Sequence, residues 1–277
     1  MYLKKIFNSK KDILIFLLGL ALVCYPIVSN LIENKNHQDI IKTYENTLND
    51  LSSLEIKKIL YEAQKWNEDL YLKQHGLSTS NYTINYYDIL NINDGIMGSI
   101  EIPKIDVNIA IYHGTEDEVL SAGAGHIKDT SMPIGGENTH AVLTSHRGLP
   151  SAKLFTRLDE LKKRDKFYIN ILNDTLAYEI DEINVIEPSV LEEQGFPIEE
   201  GKDLVTLVTC TPYGINTHRL VITAHRIPYD EKEKESIEKN SPSFREIIFY
   251  SIPILFSGIG IFIFKKKRKE QKNAKNT

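Results

Sequence analysis

Cysteine is scarce in this sequence, which has two in 277 residues. Cys24 lies inside an apolar run near the N-terminus, and Cys210 is the only cysteine in the polar middle of the chain. That middle part therefore cannot form an internal disulfide. One available thiol, together with histidines that show no short ligand spacing, argues against a zinc site, and no twelve-residue calcium loop is present. We expect neither a metal nor a cofactor.

Basic residues are also few in the middle of the chain. Residues 33–246 carry 22 of the 33 Lys and Arg residues but 36 of the 38 Asp and Glu residues, a net charge of −14. A domain this acidic is repelled by phosphate backbones and by anionic lipid head groups. Nucleic-acid binding is therefore not expected.

Long apolar runs occur only near the two ends of the sequence. Residues 13–32 form twenty uncharged, mostly apolar residues, and residues 247–264 form eighteen, which is about the length of helix that spans a bilayer core. Lysines occur in residues 1–12, and a basic tail, residues 265–277, follows the second run. Because positive flanks face the cytoplasm, we predict a two-pass protein of the cell membrane, with both termini cytoplasmic and the middle domain outside. The alternative for the first run is a signal peptide cleaved near Ser29.

Residues 33–90 are predicted to form a helical region. Apolar residues recur at helical spacing between residues 37 and 75, in two groups that begin at Ile40 and Ile56. We interpret them as two amphipathic helices that pack on the following domain or stand between it and the membrane. A simple membrane-proximal stalk is the alternative.

From Gly98 the pattern changes to short strands separated by turns. Short helices are predicted at 116–122 and 152–161. Many short strands with few helices between them predict a mainly β fold, a closed antiparallel or mixed barrel, over residues 91–230, followed by a linker over residues 231–246. The predicted strands, rich in Val, Ile, Thr and Tyr and bounded by Gly, Pro, Asn and Asp, are 99–102, 107–112, 139–144, 166–172, 176–186, 204–210 and 219–225.

Cys210 ends one predicted strand and Arg219 begins the next. The loop between them is long enough to join antiparallel neighbours, so both side chains are expected at the same end of the pair. A nearby cation stabilises a thiolate, and the planar guanidinium fork suits a developing oxyanion. A free thiol in an exported domain is also open to oxidation, which favours a functional role over a structural one. Cys210 is therefore predicted to be a nucleophile.

Acyl transfer by a thiolate also needs a proton donor for the leaving group, and histidine fills that role near neutral pH. Of the eight histidines, His146 is predicted to fill it, because it follows the strand at 139–144 and precedes a turn. His140 lies at the other end of that strand. His113 and His126 are expected in solvated loops.

Three segments resemble those of the sortase family of cysteine transpeptidases. Thr206-Leu207-Val208-Thr209-Cys210 is similar to the family's Thr-Leu-x-Thr-Cys signature, and Thr144-Ser145-His146-Arg147-Gly148 is similar to its catalytic histidine segment. Arg219 falls where the family has its essential arginine, and the three occur in the family's order. The second apolar run and the segments at 94–98, 100–105, 146–150 and 211–214 resemble class C, the pilin-polymerising sortases.

The resemblance implies an eight-stranded β-barrel preceded by helices, with Cys210, His146 and Arg219 as catalytic residues. It implies a thioester between Cys210 and a Leu-Pro-x-Thr-Gly-like sorting signal of a secreted protein. The acyl group would then pass to a lysine of a pilin subunit, building covalent pili on a Gram-positive surface. The alternatives are a sortase that anchors proteins to peptidoglycan, a hydrolytic cysteine protease and a non-catalytic surface-assembly scaffold.

Two further groups of residues follow from the resemblance. We expect three residues of the shared motifs to contact the substrate: Thr206, Thr209 and Ser145. Class C sortases usually carry a lid with an Asp-Pro pair followed by an aromatic residue, but residues 70–93 contain no Asp-Pro. The candidate lid residues, in a different pattern, are Tyr82, Tyr86, Tyr87 and Asp88.

Overall fold

The computed structural model describes residues 10–79, 84–93, 95–149 and 152–275. The chain divides into two compact units, one made of Met1–Ile32 with Ser241–Thr277 and the other of Glu33–Asn240. The helices in the described residues are α1 (Lys10–Asp50), α2 (Ser53–Gln74), α3 (Asp117–Ala122), α4 (Pro188–Gln194), α5 (Glu231–Ser236) and α6 (Phe244–Lys275). The strands are β1 (Ile96–Ile102), β2 (Val107–His113), β3 (Ala124–His126), β4 (Thr139–Thr144), β5 (Lys166–Ile171), β6 (Asp174–Ile186), β7 (Asp203–Thr211) and β8 (His218–Ile227).

The eight strands close into a barrel in the order β1-β2-β3-β4-β7-β8-β6-β5. The pairs β2–β3 and β4–β7 are parallel, and the other neighbours are antiparallel. A parallel pair needs a long crossover, and the crossover from β4 to β7 contains β5 and β6, which complete the opposite wall. The predicted eight-stranded barrel with N-terminal helices is confirmed.

Two helices of the N-terminal part pack on this barrel. In α1, the Tyr44 hydroxyl donates to the Met97 carbonyl oxygen at 3.0 Å and accepts from the Leu172 N–H at 2.9 Å. In α2, Trp66 donates its indole N–H to the Thr130 carbonyl oxygen at 3.3 Å. A capping box begins α2, in which Ser52 and Glu55 exchange side-chain to backbone hydrogen bonds. Because both helices are bonded to strands or to strand connections, the stalk interpretation is wrong.

Alternate residues of β7 and β8 face the barrel core and its outer surface. Val205, Leu207 and Ile222 belong to the hydrophobic core. Since strand side chains alternate with a period of two, Cys210 faces outward. The connection from β6 to β7 covers part of this outer surface, where the Pro197 carbonyl oxygen lies 2.8 Å from Nδ1 of His140.

Among the differences from the sequence prediction, three concern β3, two histidines and a predicted helix. The strand β3 was not predicted, because it has only three residues, one of them Gly125, and shows no alternation to detect. His113 and His126 are buried rather than solvated, because they sit side by side on the paired strands β2 and β3. The helix predicted at 152–161 is wrong: a turn leads into a 3-10 helix at Leu158–Glu160.

Two helical segments are long and apolar enough to cross a membrane, judged by length and composition. They are Ile13–Asp50 within α1 and Glu246–Lys266 within α6.

Candidate active site

Cys210 and Arg219 lie directly opposite each other on two antiparallel strands. Cys210 is the penultimate residue of β7, and its register partner Arg219 is the second residue of β8. Directly opposed residues project to the same face, with Cβ atoms about 5 Å apart. Both side chains are half-buried, so the thiol and the guanidinium share one partly solvated patch of the barrel wall.

His146 lies level with Cys210. The parallel strands β4 and β7 pair Thr144 with Val208, and the Ser145 N–H donates to the Val208 carbonyl oxygen at 3.3 Å. Two residues beyond each member of the pair are His146 and Cys210. Because side chains alternate along a strand, Cys210 points to the outer surface, and His146 is half-buried just beyond the end of the neighbouring strand. The ends of β4 and β7 and the start of β8 thus bring together the three residues predicted as catalytic.

The imidazole of His146 has one acidic neighbour among the described residues. Its Nε2 lies 4.0 Å from Oδ1 of Asp117, the first residue of α3, and the Asp117 side chain is 95% exposed while that of His146 is 30% exposed. A solvated pair at this distance contributes little energy. This acid is a weak electrostatic partner for His146, and the half-open position leaves the imidazole accessible.

Hydrogen bonds behind the site fix the strand ends. The Thr209 hydroxyl donates to the Ser145 carbonyl oxygen at 2.8 Å, and the Ser145 hydroxyl donates to the Gly123 carbonyl oxygen at 2.6 Å. Both side chains are buried. Their positions do not favour the predicted contact of Thr209 and Ser145 with substrate, because their hydroxyls bond the barrel wall instead.

Thr206 lies farther from the site than the other motif residues. It is buried, and its hydroxyl lies 2.8 Å from His140 Nε2 and 3.0 Å from the Thr223 hydroxyl. Four residues of strand separate Thr206 from Cys210, about 13 Å. This position does not favour the predicted substrate contact of Thr206 either.

Arg147 belongs to the histidine motif, but the sequence alone assigns it no role. Its side chain is 1% exposed and forms an ion pair with Asp159. It also donates from Nη1 to the Thr211 hydroxyl at 2.9 Å and from Nε to the Thr156 carbonyl oxygen at 3.3 Å. A long cationic side chain directly after the predicted catalytic histidine was the available signal, but its partners could not be identified from the sequence.

The loop between β7 and β8 borders the site with apolar side chains. Tyr213 and Ile215 are exposed, and the Tyr213 ring covers the turn after His146. A Cβ at Gly148 would lie 3.0 Å from this ring, and Gly148 has a φ of +83°, a conformation that glycine adopts at little cost. A side chain at position 148 would therefore strain the turn and press against the ring.

The described candidate lid residues lie against β2 and β3. Tyr86 is buried, and its hydroxyl is 3.0 Å from His126 Nδ1 and accepts from the Gly114 N–H at 3.1 Å. Tyr87 is 46% exposed, and its ring lies edge-on to that of Tyr86. Asp88 ends the same short 3-10 helix, and Tyr82 lies outside the described residues.

Two buried histidines hold this segment on the barrel. His113 lies between the carbonyl oxygens of Ile89, at 2.6 Å from Nε2, and Gly95, at 3.2 Å from Nδ1. Burial lowers the pKa of His113, although the two carbonyls oppose the shift. Burial lowers the pKa of His126 to about 4, against the opposing effect of the Ser131 carbonyl. Both imidazoles are therefore neutral at pH 7.

No group of three or more His, Cys, Asp and Glu side chains within residues 10–79, 84–93, 95–149 and 152–275 is arranged to hold a metal ion.

Comparisons with known proteins agree on one family. The model of the sortase domain matches residues 100–227. Sortase A of Streptococcus agalactiae is 29% identical over 217 residues, which cover 76% of this chain and 81% of that protein.

Solved structures of sortase C proteins are more similar. The structure of Streptococcus pneumoniae sortase C, reported to bear on catalysis and on pilin substrate specificity, is 39% identical with a TM-score of 0.60. The match covers 69% of this chain and 97% of that one. The structure of Clostridium perfringens sortase C with the C-terminal cell wall sorting motif is 41% identical with a TM-score of 0.60. The match covers 69% of this chain and 99% of that one.

Proposed function

We propose, from the premise that this chain belongs to the sortase family and is a cysteine transpeptidase, that it joins pilin subunits through their sorting signals. In this proposal, Cys210 cleaves a Leu-Pro-x-Thr-Gly-like signal, and the acyl group passes to a lysine amine of a pilin. The catalytic residues are Cys210, His146 and Arg219. The Streptococcus pneumoniae and Clostridium perfringens structures, which concern pilin substrate specificity and a cell wall sorting motif, support this choice of substrate.

The observation that carries the proposal is the convergence of three strand ends. Cys210 and Arg219 are register partners across β7 and β8. His146 follows β4 by two residues, and β4 pairs with β7, the strand that carries Cys210. A thiol, an imidazole and a permanent cation on one half-buried face are the groups that acyl transfer requires.

The first step forms a thioester. The Cys210 sulfur attacks the threonine carbonyl carbon of the signal, and the oxygen becomes an oxyanion that the Arg219 guanidinium stabilises. When the carbonyl re-forms, the bond from threonine to glycine breaks. His146 donates a proton to the departing glycine amine. The exposed apolar side chains of Tyr213 and Ile215 offer a surface for the apolar part of the signal.

The second step transfers the acyl group to an amine. A lysine with a pKa of about 10.4 is neutral in only about one part in 2,500 at pH 7. The lysine amine attacks in its neutral form, after its ammonium proton has gone to solvent. His146, neutral after the first step, accepts the second proton that the nitrogen loses as the amide forms. The carbon–sulfur bond breaks, an isopeptide bond forms, and Cys210 leaves as a thiolate. The cycle returns both side chains to their starting states.

The two apolar helical segments are proposed to anchor the protein in the cell membrane, with the barrel outside. Membrane-bound precursors and a membrane-bound enzyme share a thin layer, which raises their effective concentration. The acidic surface of residues 33–246 fits this arrangement, because it keeps the domain away from anionic lipid.

The test uses the full-length protein in detergent micelles with a sorting-signal peptide, with and without a pilin domain. We expect a peptide acyl group on Cys210, found by mass spectrometry, and its transfer to a pilin lysine. Cys210→Ala should show neither. An acyl-enzyme that only hydrolyses would contradict the transpeptidase reaction for this pair of substrates. An acyl group that passes only to a peptidoglycan amine would refute the pilin assignment and favour the anchoring alternative.

A further inference from the structure

Arg147 is a cation buried in the wall of the site. Its side chain is 1% exposed. A charge removed from water is costly unless the surrounding groups compensate it. Each interaction of this guanidinium therefore matters to the local structure.

One side of the guanidinium bonds the end of β7. Its Nη1 donates to the Thr211 hydroxyl at 2.9 Å and approaches the Cys210 carbonyl oxygen at 3.5 Å. Cys210 and Thr211 are the last two residues of that strand. The cation thus holds the backbone that carries the thiol.

The other side bonds the loop that follows His146. Nη2 forms the ion pair with Asp159, and Nε donates to the Thr156 carbonyl oxygen at 3.3 Å. The same loop holds the histidine's own peptide, because the Phe155 N–H donates to the His146 carbonyl oxygen at 3.2 Å. A single side chain therefore joins the loop around His146 to the strand end at Cys210.

This link lies where the regular ladder stops. The β4–β7 pairing ends at Thr144 and Val208, two residues short of His146 and Cys210. The Thr209 hydroxyl extends the connection by one residue, to the Ser145 carbonyl oxygen. One residue further along, Arg147 bridges the segment after β4 and the end of β7, next to the proposed catalytic residues.

We infer that Arg147 is a positioning residue, which sets the spacing between Cys210 and His146 through its bonds to Thr211 and to the 156–159 loop. The inference rests on the proposed roles of Cys210 and His146. Arginine suits the task because its planar fork donates in several directions at once, whereas lysine is a single point charge. A small displacement of reacting groups is enough to slow an enzyme about 100-fold.

The test compares four variants of the full-length protein in detergent micelles. Arg147→Lys keeps the charge and removes the fork. Thr211→Val removes only the hydroxyl that Arg147 bonds, and Thr211→Ser keeps it. Arg157→Lys is the matched control, because Arg157 is an arginine of the same loop with a similarly buried side chain, paired with Glu160.

Two measurements distinguish an effect on the positions of Cys210 and His146 from an effect on the stability of the whole protein. The first measurement is kcat and KM for a sorting-signal peptide, in a Cys24→Ala background and well below the melting temperature. The rates are divided by the amount of Cys210 thiol that reacts with iodoacetamide. We expect kcat to fall about 10-fold or more in Arg147→Lys and several-fold in Thr211→Val, with KM within about two-fold. Thr211→Ser and Arg157→Lys should keep the wild-type kcat.

The second readout is amide hydrogen exchange, which needs no substrate. In Arg147→Lys and Thr211→Val, the segments 145–149 and 209–216 should lose protection together, while β5 and β6 keep theirs. Equal kcat in all variants, or loss of protection in only one of the two segments, would overturn the inference. If the wild-type protein turns over no peptide, the proposed function fails, and hydrogen exchange still decides whether Arg147 links the two segments. If Arg147→Lys does not fold, the Thr211 pair carries both readouts.

Discussion

At the scale of single residues, the proposed chemistry depends on which charged groups lie near Cys210 and on how strongly other groups already bind them. Arg219 is half-buried, and its Nη1 bonds the carbonyl oxygens of His218 at 3.3 Å and Asn216 at 3.4 Å. These are weak, neutral partners at the edge of the site. A substrate oxyanion would be a better acceptor, because hydrogen bonds to charged groups are stronger.

Arg219→Lys tests whether the guanidinium fork is needed at that position. We expect kcat to fall about 100-fold, in the range seen when one oxyanion donor is removed, while Cys210 still reacts with iodoacetamide. Arg226→Lys is the control, since Arg226 lies on the same strand seven residues further and faces Asp203 at 3.8 Å. Equal losses in the two variants would mean that the effect is one of strand stability.

The lowered pKa of His126 predicts that the folded protein becomes less stable in acid. Burial lowers its pKa to about 4, whereas an unfolded histidine has a pKa of about 6.5. The unfolded state therefore binds a proton before the folded state does, and stability falls as the pH drops from about 6.5 to about 4. The shift corresponds to about 3 kcal/mol.

The measurement is the thermal midpoint between pH 7.5 and pH 4, for the wild type and for His126→Gln. The wild-type midpoint should fall more steeply below pH 6.5 than that of the variant. His113 and His140, whose pKa values are also lowered by burial, will leave part of the slope in the variant. Parallel curves for the two proteins would show that His126 is not the group that titrates.

At the scale of elements, the short helix Tyr86–Asp88 is bonded to the barrel by its aromatic residue. The Tyr86 ring stacks on His126, with centroids 5.8 Å apart, and lies edge-on to His113 at 5.1 Å. These partners belong to β2 and β3 rather than to the strand ends that carry Cys210 and Arg219. The described part of the candidate lid thus packs against β2 and β3.

Tyr86→Phe should lower the stability of the protein. The change leaves the buried Gly114 N–H and a ring nitrogen of His126 without their partner, which costs about 1–3 kcal/mol. Tyr87→Phe is the control and should change the midpoint little, because Tyr87 is 46% exposed. Thermal unfolding of both variants gives the comparison. A large rise in peptide cleavage by Tyr86→Phe at an unchanged midpoint would instead indicate that this helix restrains the active site.

At the scale of the whole molecule, the distribution of charge and of apolar runs divides the sequence into an acidic middle part and two apolar, basic end regions. The acidic charge lies in residues 33–246, and the uncharged runs and a basic tail lie near the ends. Two helical segments have the length and composition to cross a membrane. The basic residues beside the two apolar runs favour termini in the cytoplasm and a barrel outside the membrane.

Thiol labelling can test this topology. In a Cys24→Ala background, the protein carries Cys210 in the barrel, and Lys272→Cys adds a thiol in the tail. A membrane-impermeant maleimide should label Cys210 in intact Gram-positive protoplasts and should label the tail thiol only after permeabilisation. Cys210→Ala in the same background identifies each band. Labelling of the tail in intact protoplasts would contradict the two-pass arrangement.

Local patterns in the sequence determined the class of this protein. The motif around Cys210, the segment around His146 and the alternation of the strands are properties of neighbouring residues, and a catalytic group must be of a particular residue type. Only the tertiary structure decided what surrounds those groups. Pairing of β4 with β7 joins residues about sixty positions apart, and burial of His113 and His126 depends on the three-residue strand β3. The bonds from Arg147 to Thr211 and Asp159 arise only when the barrel closes, because a buried charge takes its partners from whatever chains pack around it.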